Sequence, residues 1–213
     1  MKKLTIKILF LLLFLFPGIA FSASNFVKVN LPHSATVELP QNWFILDGNQ
    51  RKTLDAYNES VGRISNIKFT ACLANRDEII AKLDVTHLLK GGITQRQAKK
   101  LTQDYVRQFD KGARKELTKQ IPTINASILE WKGTTERIIN KGTAYELVIL
   151  VTECKIGPIE NVGNLCFYLI SVFNGPDSFG IYLSYLEDFR VLLQPICDRI
   201  ISSIRINPFD LNL

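Results

Sequence analysis

Two apolar runs of nine residues each, 144–152 and 165–173, constrain the fold of this chain more than any other feature. Apolar residues occupy positions of both parities in each run, which is typical of strands that are covered on both faces of a sheet. Cys154 follows the first run and Cys166 is the second residue of the second run, so the two cysteines lie near the two ends of the connecting loop. We therefore predict an antiparallel hairpin in the middle of a sheet, with the rest of the chain forming its cover and its edge strands.

The chain begins with the pattern of a secretory signal peptide, which we place at residues 1–23. Three lysines precede an unbroken apolar run at 8–16, and small residues follow, so that Ser22 or Ala23 is the expected cleavage position. As a helix the run would rise only about 14 Å, against the roughly 30 Å of a hydrocarbon core. No cysteine near the junction could accept a lipid. We expect a periplasmic or secreted protein without a stable membrane anchor.

All four cysteines lie in the part expected to be exported, where an even number suggests disulfide bonds. We predict a bond between Cys154 and Cys166, because the runs beside them are expected to be adjacent strands. A second disulfide bond, between Cys72 and Cys197, then follows by elimination. The first bond closes a short loop and is worth about 3 kcal/mol in the loop-entropy model. A zinc site is the alternative, but no cysteine pair has two-residue spacing and neither histidine is near.

The charge of the chain gives no sign of a nucleic-acid surface. Its formal net charge of +6 falls to +3 once the leader, with three lysines and no acid, is removed. Nucleic-acid binding normally needs a dense basic patch. The most basic stretch, 96–119, also contains Asp104, Asp110 and Glu116, and we interpret it as the solvated face of a helix.

The remaining residues predict a single domain over 24–213, with strands and helices around the hairpin. Residues 79–89 suit either a helix or a strand, and we favour a strand. Thr94 and Gln97 form a capping box that begins a long helix ending before Pro122. Pro195 should kink the last helix unless that helix begins at Gln194. The other predicted elements are a second apolar segment from Trp43, helices at 50–64 and 187–204, and strands at 35–39, 67–74, 127–131 and 137–140, of which the last two are separated by a glycine turn at 132–134. Residues 179–185 form either a further strand or the lead-in to the last helix.

No combination of residues predicts catalysis, a metal site or a cofactor. Neither His33 nor His87 lies near a glycine-flanked serine, and we interpret both as structural. Ser65 and Lys68 have the spacing of an acylase pair but enter a predicted strand instead of a helix. The adjacent carboxylates at 77–78 and 187–188 suit a turn and a helix start better than an acid and base pair.

The aromatic residues suggest one binding surface. Trp43, Phe44 and Trp131 could line a ligand groove, although packing in the core or at its rim explains them equally well. We keep this groove as a hypothesis for a small ligand or a lipid.

The order of elements resembles the PsbP/Mog1-like domains, including the DcrB-like branch. The resemblance rests on the strand that enters Leu39-Pro40-Gln41-Asn42-Trp43, the long middle helix, the meander with Trp131 and Arg137-Ile138, and the last helix closing in 200–206. It implies an α+β fold in which a central antiparallel sheet is flanked by helices, an α/β/α sandwich. It also implies that the chain belongs with binding or accessory proteins that do not catalyse a reaction.

These observations together lead to one expected function and two alternatives. We expect an exported, non-catalytic accessory protein that contacts another exported protein, in its narrower form an immunity protein or an effector chaperone. The alternatives are a carrier that uses the aromatic groove and an enzyme whose site the sequence does not disclose.

Overall fold

The computed structural model describes residues 25–53, 67–75, 78–87, 92–121 and 126–211. Their strands are β1 Phe26–Leu31, β2 Ala35–Pro40, β3 Phe44–Ile45, β4 Ile67–Asn75, β5 Glu78–His87, β6 Ser127–Ile139, β7 Leu147–Ile159, β8 Gly163–Val172, β9 Phe179–Leu186 and β10 Arg205–Ile206. A seven-stranded antiparallel sheet forms the centre of the fold, in the order β3-β4-β5-β9-β8-β7-β6. A smaller three-stranded sheet has the order β1-β2-β10.

The predicted hairpin is confirmed as β7 and β8, which pair antiparallel from Ile149 with Val172 to Ile159 with Gly163. All five residues from Leu147 to Val151 are at most 1% exposed, so both faces of β7 are covered as predicted. Because the strands extend beyond the apolar runs, the loop predicted between the runs is reduced to a turn at 160–162. The strand in the middle of the sheet is β9, which lies between β5 and β8.

Two helices cover the opposite faces of this sheet. Helix α2, Gln103–Gln120, packs against β6 and β7. Helix α3, Arg190–Ser202, lies on the other face and contacts β2 and β9. It contributes to the main core through its buried residues Leu193, Ile196, Cys197, Ile200 and Ile201. The fold is therefore the predicted α+β arrangement of an antiparallel sheet between helices.

The long middle helix was predicted as one element, and the structure divides it. Thr94 and Gln97 form the predicted capping box, but helix α1 that follows it covers only Gln95–Ala98. Thr102 then begins α2 by accepting a hydrogen bond from the backbone N–H of Tyr105. In α2, Val106 is buried, whereas the neighbouring Tyr105 is 38% exposed.

Strand β6 also differs from its prediction. The segments 127–131 and 137–140 were expected to be two strands joined by a glycine turn. They form one strand of 13 residues with bulges between Ile128 and Glu130 and between Trp131 and Gly133. Gly133 has a φ of +89°, so it supplies the backbone freedom that the second bulge requires instead of a turn.

The other predicted elements have mixed outcomes. Strand β5 confirms the strand interpretation of 79–89, and α3 runs through Pro195 without starting at Gln194. Residues 48–53 are helical, but the rest of the predicted helix at 50–64 lies outside the described residues, as does the predicted leader. No helix in the described part of the chain is long and apolar enough to cross a bilayer.

Candidate functional site

The structure does not bring the three predicted groove residues together. Trp43 and Phe44 lie at the β3 edge of the large sheet, and Trp131 lies on β6 at the opposite edge. Trp43 is 7% exposed and packs in the main core, with no hydrogen-bond partner for its Nε1 in the described structure. Phe44 is 42% exposed. A groove lined by all three side chains is therefore not formed.

The predicted disulfide pairings are not formed either, since all four cysteines are unbridged and buried. In the register of β7 and β8, Cys154 is opposite Phe167 and Cys166 is opposite Lys155. Neighbouring positions along a strand point to opposite faces. Cys154 therefore packs with Ile121 on the α2 side, whereas Cys166 belongs to the main core on the α3 side. This predicted pairing was wrong, because closeness in sequence does not show to which face of the sheet each cysteine side chain points.

The second pairing fails for the same reason. Ala71 and Leu73 point into the main core, so Cys72 between them points to the other face, whereas Cys197 lies in the main core. Burial raises the pKa of the Cys154 thiol to about 12 and that of Cys72 to about 11. Both thiols are therefore protonated at neutral pH and are weak nucleophiles.

Trp131 instead helps to fix α2 on the sheet. Its Nε1 donates to Asp110 Oδ1 at 3.1 Å, and the Thr134 hydroxyl donates to the same oxygen at 2.9 Å. The guanidinium of Arg114 lies 5.8 Å from the centre of the Trp131 ring, within the range of a cation–π contact. These contacts orient α2 so that its apolar side, with Val106 and Phe109, faces the sheet.

The outward side of α1 and α2 carries a concentrated positive charge. Between residues 95 and 121 the sequence has eight lysines and arginines and three acids, a net charge of +5. All eight cations are exposed. We call this surface the basic face, and its cations are Arg96, Lys99, Lys100, Arg107, Lys111, Arg114, Lys115 and Lys119.

The acids in this segment do not neutralise the whole basic face. Asp104 pairs with Arg107 at 3.1 Å and Glu116 with Lys119 at 3.3 Å, both on the exposed surface. Asp110 is used by Trp131 and Thr134. Arg96, Lys100, Lys111 and Lys115 have no ion pair with an acid of the described residues.

A second feature, which the sequence interpretation missed, brings together the two histidines of the chain. The rings of His33 and His87 stack at 5.0 Å between centroids, and Phe179 stacks on His33 at 5.4 Å. His33 lies in the turn between β1 and β2, whereas His87 ends β5. No local pattern signals this contact, since 53 intervening residues separate the two histidines.

Acidification should destabilise the protein through His33. Burial, followed by the neighbouring His87, lowers the pKa of His33, and Asp177 opposes the shift while Lys68 adds to it. A folded-state pKa below the unfolded value of about 6.5 means that the stability is complete above that pH and is lost as the pH falls below it. Between pH 7.5 and 5.0 we expect His33→Asn to lose less thermal stability than the wild type, because the variant lacks the imidazole that becomes protonated. Asparagine is the replacement because it tolerates the φ of +64° at this position.

The melting temperature of both proteins across this pH range, followed by circular dichroism, is the measurement. Equal losses in the wild type and the variant would show that His33 does not contribute to the pH dependence. His87→Asn serves as the partner variant, since removal of His87 should raise the pKa of His33 towards its unfolded value and so make the loss of stability on acidification smaller.

Comparisons with known proteins bear on the fold alone. No family model matches the chain, and no curated protein sequence matches it. The solution structure of cyanobacterial PsbP (CyanoP) from Synechocystis sp. PCC 6803 superimposes with a TM-score of 0.55 at 12% identity, covering 89% of this chain and 96% of that one. A crystal structure from Bacteroides thetaiotaomicron has a TM-score of 0.41 at 12% identity, over 84% of this chain and 48% of that one. The chain has a PsbP-like fold, which confirms the resemblance seen in the sequence.

Proposed function

We propose that this protein is an exported, non-catalytic accessory protein that binds another exported protein through the basic face of α1 and α2. The observation that carries the proposal is the uneven distribution of charge. The segment 95–121 has a net charge of +5, whereas residues 24–213 as a whole have +3. The remainder of the mature chain is therefore slightly acidic, and the positive charge is concentrated on one helical layer.

Such a surface favours an acidic protein partner. Lys111 and Lys115 are one helical turn apart and lie on the side of α2 away from Val106, so both project outward. Complementary charge accelerates encounter and rejects partners of the wrong sign. The apolar side of α2 packs on the sheet, so this layer offers a partner mainly charge and hydrogen-bond donors. An immunity protein or an effector chaperone is the narrower form of the proposal.

The test compares two double variants with the same change in net charge. Lys111→Glu with Lys115→Glu reverses the centre of the basic face. Lys52→Glu with Lys141→Glu reverses two exposed lysines elsewhere. Each tagged protein is exposed to a nuclease-treated periplasmic extract, and the bound proteins are compared by mass spectrometry at low salt and at about 0.5 M salt, where exposed charges are screened.

We expect the wild type and the control variant to retain the same acidic protein, and the basic-face variant to retain about tenfold less of it. High salt should release the protein from the wild type. If the two double variants retain equal amounts, the basic face is not the binding surface. If the wild type retains no acidic protein at low salt, the proposed class of partner is wrong.

A further inference from the structure

A pocket of about 360 Å³ opens at the end of the fold where the two histidines meet. The β1–β2 turn forms one wall with His33 and Ser34. The short helical turn at Gly175–Asp177 forms a second, and the C-terminal segment closes the third with Phe209, Asp210 and Leu211. Asn174 Nδ2 donates to the backbone oxygen of Asp210 at 3.1 Å, which holds the third wall against the second.

The charge of the pocket is negative. Asp177 and Asp210 both line it, and neither carboxylate forms an ion pair with a lysine or arginine of the described residues. Phe209 stands beside them at the rim with 96% of its surface exposed. An aromatic ring next to carboxylates can attract a cation through its face. An anionic ligand would instead be repelled by these two carboxylates.

The His33 wall is held in a costly conformation. His33 and Ser34 both have positive φ values, +64° and +52°, which are uncommon for residues other than glycine. The Nε2 atom of His33 is buried and has no hydrogen-bond partner in the described structure. Residues in sparsely populated backbone regions cluster at active sites and ligand-binding sites.

We propose that this pocket binds a small organic cation with a guanidinium or primary ammonium group, held between the carboxylates of Asp177 and Asp210. The ring of Phe209 covers the cation from the rim. The polar lining, with Ser34 and Asn174, disfavours an apolar ligand. Among the described residues, no three histidine, cysteine or acidic side chains are grouped so as to hold a metal ion. The proposal is independent of the partner of the basic face.

The test uses two probes of nearly the same shape that differ in charge. Butylguanidinium carries the cation, and butylurea is its neutral counterpart. Calorimetric titration of the purified protein should show one saturable site for butylguanidinium and binding at least tenfold weaker for butylurea. The double variant Asp177→Asn with Asp210→Asn should weaken butylguanidinium binding by tenfold or more. Both residues are exposed, so the variant should fold normally.

Glu136→Gln removes an exposed carboxylate on β6, away from the pocket, and should leave the affinity unchanged. Equal affinity for the two probes would overturn the proposal. So would the absence of saturable binding up to about 10 mM butylguanidinium, or an equal loss in Glu136→Gln and in the double aspartate variant.

Discussion

Replacing Gln95 by alanine is expected to lower the free energy of unfolding by about 3 to 5 kcal/mol, because it leaves three buried backbone groups without a partner. Gln95 is 0% exposed. Its Oε1 accepts from the N–H of Val148 at 2.8 Å, and its Nε2 donates to the carbonyls of Val148 at 3.1 Å and Phe173 at 2.7 Å. One side chain thus joins α1 to the start of β7 and the end of β8.

Urea denaturation of Gln95→Ala measures the effect, with Gln108→Ala as the control. Gln108 is an exposed residue of α2, so its replacement should change the free energy of unfolding by less than about 0.5 kcal/mol. Gln95→Glu separates the two halves of the interaction. Its carboxylate can accept from Val148 N–H but cannot donate to the two carbonyls, so it should also destabilise the fold. A loss below about 1 kcal/mol for Gln95→Ala would show that the three groups do not depend on this side chain.

Gly92→Ala should destabilise the protein by about 3 kcal/mol, through steric overlap and the loss of hydrogen bonds. A Cβ at this position would lie 1.7 Å from Ser178 Oγ and 2.2 Å from Ser178 Cβ. Ser178 cannot move away freely, because it is fully buried and its Oγ donates to the Gly175 carbonyl while accepting from the Asn174 N–H. Relief of the overlap therefore has to disturb the turn at Gly175–Asp177.

Gly112→Ala is the matched control for this variant. Gly112 lies in exposed α2 with no atom within 4 Å of an added Cβ, so alanine there should stabilise the protein by about 0.5 to 1 kcal/mol. Ser178→Gly in the Gly92→Ala background should cost less than the sum of the two single changes, since it removes the overlapping atoms. Additive losses, or a neutral Gly92→Ala, would contradict the predicted contact.

The elements that depend on local pattern were predicted from the sequence. The β7–β8 hairpin, β4, β5 and the capping box at Thr94 are all present, because alternation and capping act over a few residues. The division of the middle helix at 99–102 was missed. There the side chain of Gln95 donates hydrogen bonds to the carbonyls of Val148 and Phe173, and a second N-cap at Thr102 begins the next helix.

The errors at the candidate sites have a common physical cause. The groove of Trp43 and Trp131 and the two cysteine pairings all depended on which side chains share a face of the sheet. Strand order and register decide which side chains share a face, and neither can be read from the sequence. Trp43 and Trp131 lie at opposite edges of the large sheet. Cys154 and Cys166 occupy adjacent positions in the register of β7 and β8, and so point to opposite faces. The stack of His33 on His87 likewise depends on tertiary structure.

The basic face was underestimated for a different reason. Counting charges along 96–119 suggested that Asp104, Asp110 and Glu116 balance the cations. The structure shows that Asp110 is engaged by Trp131 and Thr134, and that the two other acids each pair with one cation. Lys111 and Lys115 are left without an acid of the described residues as a partner.

The most direct test of the proposed function is crosslinking in cells from a photoreactive residue at Gln108, which is exposed on the outward side of α2. The control position is Val191, 88% exposed on α3 at the opposite face. We predict one protein adduct from position 108, none from 191, and loss of the adduct when Lys111 and Lys115 are replaced by glutamate. Equal adducts from both positions, or an adduct that survives the charge reversal, would contradict binding through the basic face.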